Sequence, residues 1–450
     1  MRKRKRKSNW GLFTAFAAIT GALIAIIVWL FLKISNVGIT IIWDIIPDAI
    51  SFKYYTIVMC LVGGLIIGIF HQVCGGYPEP MKKAVIRFKN EGGYPYRKIP
   101  VIIFASFLSL FFGGAVGPEA GLVGILLGLC CWAKDQFGMA RYQMDVTLEN
   151  DPDMSRLDIF KDMVADLFLP ADEIVYDKRI RWSRAEQVTT GVTAGVSGLA
   201  VYILLNEVLG SCITIPRLEG GAVSGIDKLL LIVLLAAGIL AGYLYHLFHK
   251  ITAAFFSRLE ARNLHILNAV LGGLILGLVG SVLPMTMFSG GNDIQVMEYE
   301  YLQYTPVLLI VIGIVKLFLT NVCIQSGWKG GHFFPVIFSG ISIGYGMSLL
   351  LGTNQILSVT VLSSALLATI IQQPVGSLVL GLIFFPVKDI GWICLASAAG
   401  GCIPLPAPLR TDAQDKGFIY KIVQKGKMRR LSGKDPDGEK SLPVKDDGQP

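Results

Sequence analysis

Residues 11–32 contain no charged side chain. A helix rises about 1.5 Å per residue, so a run of this length spans the roughly 30 Å hydrocarbon core of a bilayer. Further apolar stretches recur near 54–70, 101–133, 188–210, 229–249, 264–283, 306–325, 333–351, 356–371 and 375–403. Only 16% of the residues are charged, against about 25% in soluble domains. Within lipid every backbone polar group must be satisfied internally, and stretches this long do so as helices. An all-α polytopic membrane protein is expected, not a soluble enzyme.

The formal net charge of +8 points less to nucleic acid than to topology. Six of the basic residues are Arg2, Lys3, Arg4, Lys5, Arg6 and Lys7, directly before the first apolar run. That placement is the mark of a cytoplasmic N-terminus, with contact to anionic lipid a further role. The run that follows is too long for a cleavable signal and lacks a small-residue cleavage site. The cysteines (Cys60, Cys130, Cys131, Cys323 and Cys394 among them) fall mostly in apolar stretches. They read as packing thiols, with neither a disulfide framework nor a zinc spacing.

The expected organisation is a basic N-terminus at 1–10, a transmembrane domain at 11–403 and a polar cytoplasmic tail at 404–450. The domain divides into halves of about 11–210 and 229–403. A polar insertion at 134–187 reads as a surface loop with short helices, closed by an interfacial anchor of Lys178, Arg179, Arg181 and Arg184 around Trp182. The tail is too short for a sizeable regulatory domain.

Two apolar stretches are broken in a particular way. Gly113, Gly114, Gly117 and Pro118 interrupt the first, and Gly327, Gly330, Gly331 and Pro335 open the second. Proline suits the first turn of a helix and not its interior, so each cluster predicts a helix that starts inside the membrane. Gly114-Ala115-Val116-Gly117-Pro118 and Gly331-His332-Phe333-Phe334-Pro335 share the pattern G-x-x-x-P, close to half a chain apart. Inverted repeats whose broken helices meet at the midplane build many transporters.

A helix N-terminus offers unpaired N–H groups and about half a positive charge, and glycine lets a ligand approach them. Inside a membrane this makes an anion site with no buried cation. The competing reading is that these glycines serve close helix packing.

The same segments resemble a known family. Gly113–Pro118, Gly330–Pro335 and Gly75-Gly76-Tyr77-Pro78-Glu79 are similar, in order, to three signature segments of the CLC chloride channels and proton-coupled chloride transporters. Met287-Phe288-Ser289-Gly290-Gly291-Asn292 and Gln372-Gln373-Pro374-Val375-Gly376 extend the likeness, which runs from about Tyr54 to Pro404. The resemblance implies two inverted-topology halves with re-entrant helices, a homodimer in the cell membrane, one chloride pathway per subunit and no cofactor. It places an anion against Gly75, against the amides of Ala115, Val116 and Gly117, and against those of His332, Phe333 and Phe334, with the Phe333 ring facing the ion.

This chain also departs from the pattern. A glutamate that blocks the pathway and carries a proton in the coupled members is replaced by Val116, and a pore serine by Gly75. Passive, channel-like conduction is therefore the first expectation. Glu119 supplies the alternative: it is either a first-turn acid favoured by the helix dipole or a displaced gate in a proton-coupled antiporter. His332 is either a packed structural residue or a group that titrates near neutrality. Lys316 and Lys329 attract anions or, for Lys329, reach the interface. Tyr420 stands in a charged context unlike the family's pore tyrosine, and Glu207 is a weak match for its inner glutamate. A membrane enzyme is not expected, since H-E-x-x-H and G-x-S-x-G are absent and Ile226 stands where a P-loop following residues 220–225 needs lysine.

Overall fold

The computed structural model describes residues 10–50, 52–151, 154–168, 184–211 and 225–410. The N-terminal basic run, the anchor around Trp182 apart from Arg184, the glycines of 220–224 and Tyr420 lie outside these residues.

The described chain is nearly all helical. The first half holds α1 (Trp10–Thr40), α2 (Ile46–Ile50), α3 (Tyr55–Cys74), α4 (Met81–Glu91), α5 (Ile99–Phe111), α6 (Glu119–Asn150), α7 (Arg156–Ala165) and α8 (Arg184–Leu209). The second half holds α9 (Gly225–Glu260), α10 (His265–Val282), α11 (Gly291–Glu300), α12 (Pro306–Ser326), α13 (Phe333–Leu351), α14 (Gln355–Ile371), α15 (Pro374–Phe384) and α16 (Ile390–Cys402). Eight of these helical stretches are long and apolar enough to cross a membrane.

Helix contacts follow the small residues, because lipid offers no hydrophobic drive and close approach must supply the packing. A side chain at Gly64 or Gly68 of α3 would meet the backbone of Val270 or Ile266 on α10. Gly21 of α1 and Gly198 of α8 abut in the same manner, with Ser197 Oγ donating to the Ala18 carbonyl at 3.0 Å. The outward face of α8 is apolar and exposed at Val188, Val192, Val196 and Leu199, as suits lipid or a second membrane subunit.

Two expectations change. Residues 134–150 are not a loop but the continuation of α6, because Met139, Ala140 and Met144 are buried against Phe13, Phe16, Ile159 and Met163. Cys130 and Cys394 are exposed on the surface, unlike the buried Cys60, Cys131 and Cys323.

Between α1 and α2 the helix widens into a π-turn at Ile41–Ile45. Such bulges turn side chains out of the regular register, and here Trp43 Nε1 donates to the Phe111 carbonyl at 2.7 Å. That carbonyl is the last of α5, so the π-turn braces the break that follows.

Candidate functional site

Both breaks fall where the glycine–proline clusters predict. α5 ends at Phe111 and α6 starts at Glu119, with Pro118 as its N-cap. Gly113 takes a φ of +82°, a left-handed turn where a side chain would also run into Met287 and Trp43. On the other side α12 ends on Gly327, at φ +104°, and α13 starts at Phe333. Trp328 fills the corner, fully buried, with Nε1 donating to the Ala269 carbonyl at 2.9 Å.

The two breaks meet. Gly117 N–H donates to the Gly331 carbonyl at 2.8 Å, and Gly331 N–H returns a bond to the Gly117 carbonyl at 2.7 Å. This is an antiparallel bridge within a helical protein. It brings the N-termini of α6 and α13 together, one from each half.

All three expected first-half amides are already engaged. Val116 N–H donates to the Gly114 carbonyl at 2.7 Å, Gly117 N–H belongs to the bridge, and Ala115 N–H is directed at the Cys323 sulfur. The Val116 side chain is buried against Gly330. In this conformation these three residues build the wall of the site and do not offer donors to an ion. Gly75 is exposed at the end of α3, and its N–H donates to the His71 carbonyl at 3.0 Å. The neighbouring Glu79 pairs with Arg87 at 3.0 Å. Arg87 also pairs with Glu91, and that hydrogen bond raises the guanidinium further above its ordinary range against a smaller opposing cost of burial. This corner reads as structural.

The second-half amides lie at a helix start. His332 is the N-cap of α13, and Phe333 and Phe334 form its first turn, where N–H groups have no intrahelical acceptor. The Phe333 ring lies against the His332 ring at 4.7 Å, and the Phe334 ring meets Phe384 edge-on at 5.6 Å.

Glu119 occupies this place. Its Oε1 accepts from Phe334 N–H at 2.8 Å. Its Oε2 is buried without a hydrogen-bond partner among the described residues. Any side chain at Gly117 or Gly331 would collide with the carboxylate. The carboxyl group lies between the starts of two helices, where their N-terminal dipoles are positive. Glu119 thus caps the first turn of α13 across the interface as well as standing in the first turn of α6.

Lys316 underlies the site. It is fully buried in α12, with Nζ donating to the Met285 and Met287 carbonyls at 2.8 and 2.7 Å and lying 4.3 Å from the Phe338 ring centre. The loop it holds delivers Phe288, whose N–H donates to the Gly113 carbonyl at 3.2 Å. Trp43, Trp328 and Cys323 are contributors that no motif marks. Spacing gives no sign of them, because their role depends on which helices cross. Glu207 lies exposed on α8, away from this arrangement.

Comparisons with known proteins agree with this fold. The family model described as "Voltage gated chloride channel" matches residues 173–402, half of the chain. The protein named "Putative ion-transport protein YfeO" from Escherichia fergusonii is 24% identical over 395 residues, covering 85% of each chain. The protein of that name from Salmonella newport is 22% identical, covering 85% of this chain and 88% of its own. Among solved structures, a slow cyanobacterial Cl⁻/H⁺ antiporter aligns over 94% of this chain and 99% of its own, with TM-score 0.62 and 16% identity. A CLC-type fluoride/proton antiporter aligns over 88% and 96%, with TM-score 0.58 and 16% identity. The chain belongs to the voltage-gated chloride channel (CLC) family and is a multi-pass membrane protein of anion transport.

Proposed function

We propose that this protein exchanges a small anion, chloride by default, for protons, with Glu119 as the displaceable gate. The single observation that carries the reading is the Glu119 carboxylate on the Phe334 amide. An anion entering from either side competes with this carboxylate for the N–H groups of His332, Phe333 and Phe334. A carboxylate that leaves the site and takes up a proton has lost its claim on those donors, which couples anion entry to proton binding. The two structural neighbours are antiporters of an anion and protons, and that mode is carried here to this chain. No cofactor, metal or enzymatic step enters the mechanism.

Val116 favours the second reading, passive conduction, because it puts an apolar side chain at the family's gating position. The homodimer belongs to the same proposal, supported by the exposed apolar faces of α8 and of α15 at Val375 and Val379. So does a cell-membrane location with both termini cytoplasmic.

The test is chloride efflux from proteoliposomes with a potassium shunt and a pH electrode. Coupled exchange gives proton uptake in fixed ratio to chloride release, and Glu119→Gln abolishes that uptake. Efflux without proton movement in the native protein selects passive conduction. No efflux of chloride, fluoride, bromide or nitrate defeats both readings.

A further inference from the structure

α4 is an 11-residue helix in the connection between two apolar helices, α3 and α5. α1 and α3 belong to consecutive stretches long and apolar enough to cross a membrane, so the end of α3 returns to the side of Trp10. The connection from 75 to 98 carries Lys82, Lys83, Arg87, Lys89, Arg97 and Lys98 against Glu79 and Glu91. A short loop with that excess of Lys and Arg marks the cytoplasmic side.

Its depth is set by α6. Ala84 is fully buried, in the packed cluster that also holds Leu129 and Cys131. Just beyond α4, Tyr94 N–H donates to Cys131 Sγ at 3.2 Å. Residues 120–133 of α6 carry no charge, and Lys134 and Asp135 follow. α4 therefore lies along the boundary where the apolar layer ends.

Steps of about 100° per residue divide this helix into four sides. Ala84 faces the protein, and Arg87 on the adjoining turn donates from Nη1 to Glu79 Oε1 at 3.0 Å. On the next side Met81, Val85 and Phe88 form a stripe at i, i+4 and i+7, with Met81 42% and Phe88 36% exposed. Opposite the protein stand Lys82 and Lys89, seven residues apart and exposed, with no ion pair among the described residues. Exposed Ile86 follows them, and Asn90 and Lys83 complete the circuit. An open apolar stripe edged by lysines is the pattern of a helix lying in a membrane–water boundary, apolar side down and ammonium groups level with the headgroups.

We propose that this outer side of α4 binds anionic phospholipid of the cytoplasmic leaflet. The stripe of Met81, Val85 and Phe88 enters the acyl region, and Lys82 and Lys89 reach sideways to the phosphates. Charge selects the occupant: a zwitterionic lipid fills the apolar side equally well, but its own cation competes with the two ammonium groups for the phosphate. The site holds whether the protein exchanges or conducts passively. Its place gives it a role, because α4 follows directly on Gly75–Glu79 and is tied back to that segment through Arg87 and Glu79. A lipid held on the outer side clamps the same corner that this ion pair braces from within.

Native mass spectrometry of the full chain in detergent, titrated with dioleoyl phosphatidylglycerol or dioleoyl phosphatidylcholine, reads the lipid retained per protein. The native protein should prefer the phosphatidylglycerol. Lys82→Gln/Lys89→Gln should weaken its tightest binding by about tenfold or more and leave phosphatidylcholine retention as it was, whereas Met81→Asn/Phe88→Asn should lower both. Lys161→Gln, on α7, should keep the native preference. A native preference in the Lys82→Gln/Lys89→Gln protein overturns the proposal, and so does an equal loss in Lys161→Gln, which would make the preference a general effect of charge. Thermal unfolding gives a second reading, since a ligand that binds the folded state raises Tm. Phosphatidylglycerol should raise the native Tm more than that of the lysine variant, and equal shifts overturn the site. Glycerol 3-phosphate at matched ionic strength should not displace the lipid; displacement would assign the lysines to a soluble phosphate instead.

Discussion

Phe334 donates its backbone N–H to the Glu119 carboxylate across 2.8 Å, although the two residues are 215 positions apart. The bond joins the first residue of α6 to the second of α13, so one side chain closes the place where two helix N-termini converge.

On the exchange reading, Glu119 is ionised when it closes the site. A hydrogen bond to an ionised acceptor contributes about 1.5–3 kcal/mol and a neutral one about 0.5–1.5. Glu119→Gln keeps the shape and lowers the competition by roughly 1.4 kcal/mol, or about tenfold in apparent chloride affinity. Titration calorimetry of the purified variant should show that tightening, together with a flattened pH dependence of chloride flux. Equal affinity in the two proteins would show that the carboxylate does not contest the anion's place.

Gly331→Ala tests the same contact from the other side. The added methyl group would overlap Glu119 Oε2, so the carboxylate must leave. Overpacking of this kind costs about 1–3 kcal/mol. Chloride efflux should become faster and less sensitive to pH. Gly331→Ala/Glu119→Ala should recover most of the lost melting temperature, because neighbouring substitutions that share one contact are not additive.

Lys316→Met removes a buried cation and strands the carbonyls of Met285 and Met287. Each buried carbonyl left unpaired costs about 1–3 kcal/mol, partly offset by relief from burying the charge. A net loss of roughly 2–4 kcal/mol is expected by thermal unfolding in detergent. Because the loop carrying Phe288 is then unsupported, chloride affinity should fall as well.

Trp43→Phe deletes only the donor to the Phe111 carbonyl. The stability loss should be about 1 kcal/mol. A larger effect on chloride flux than on melting temperature would identify the π-turn as a brace for the first break. A melting-temperature loss with unaltered flux would make it ordinary packing.

The two re-entrant helix starts were legible in Gly113–Pro118 and Gly330–Pro335, because proline and glycine act through local backbone geometry that spacing alone conveys. The spans were legible for a similar reason: length and apolarity are properties of a segment. The partners of individual donors were not. Ala115, Val116 and Gly117 read as anion-facing amides, yet their acceptors are Cys323, Gly114 and Gly331, two of which come from the distant half. Residues 134–150 read as a loop from their charge, whereas the buried face formed by Met139, Ala140 and Met144 emerges only once α1 and α7 lie beside it. Val116 drew attention to a missing carboxylate; that Glu119, three positions on, reaches the same helix end depends on the direction of its side chain.

The paired bonds between Gly117 and Gly331 limit how this transporter can work. Rigid-body rocking of one repeat against the other, the usual way of exposing a central site to alternate sides, would tear that seam on every turnover. Under the exchange proposal the moving part is a single acidic arm swinging beside a stationary weld, with substrate passing the joint while it stays closed.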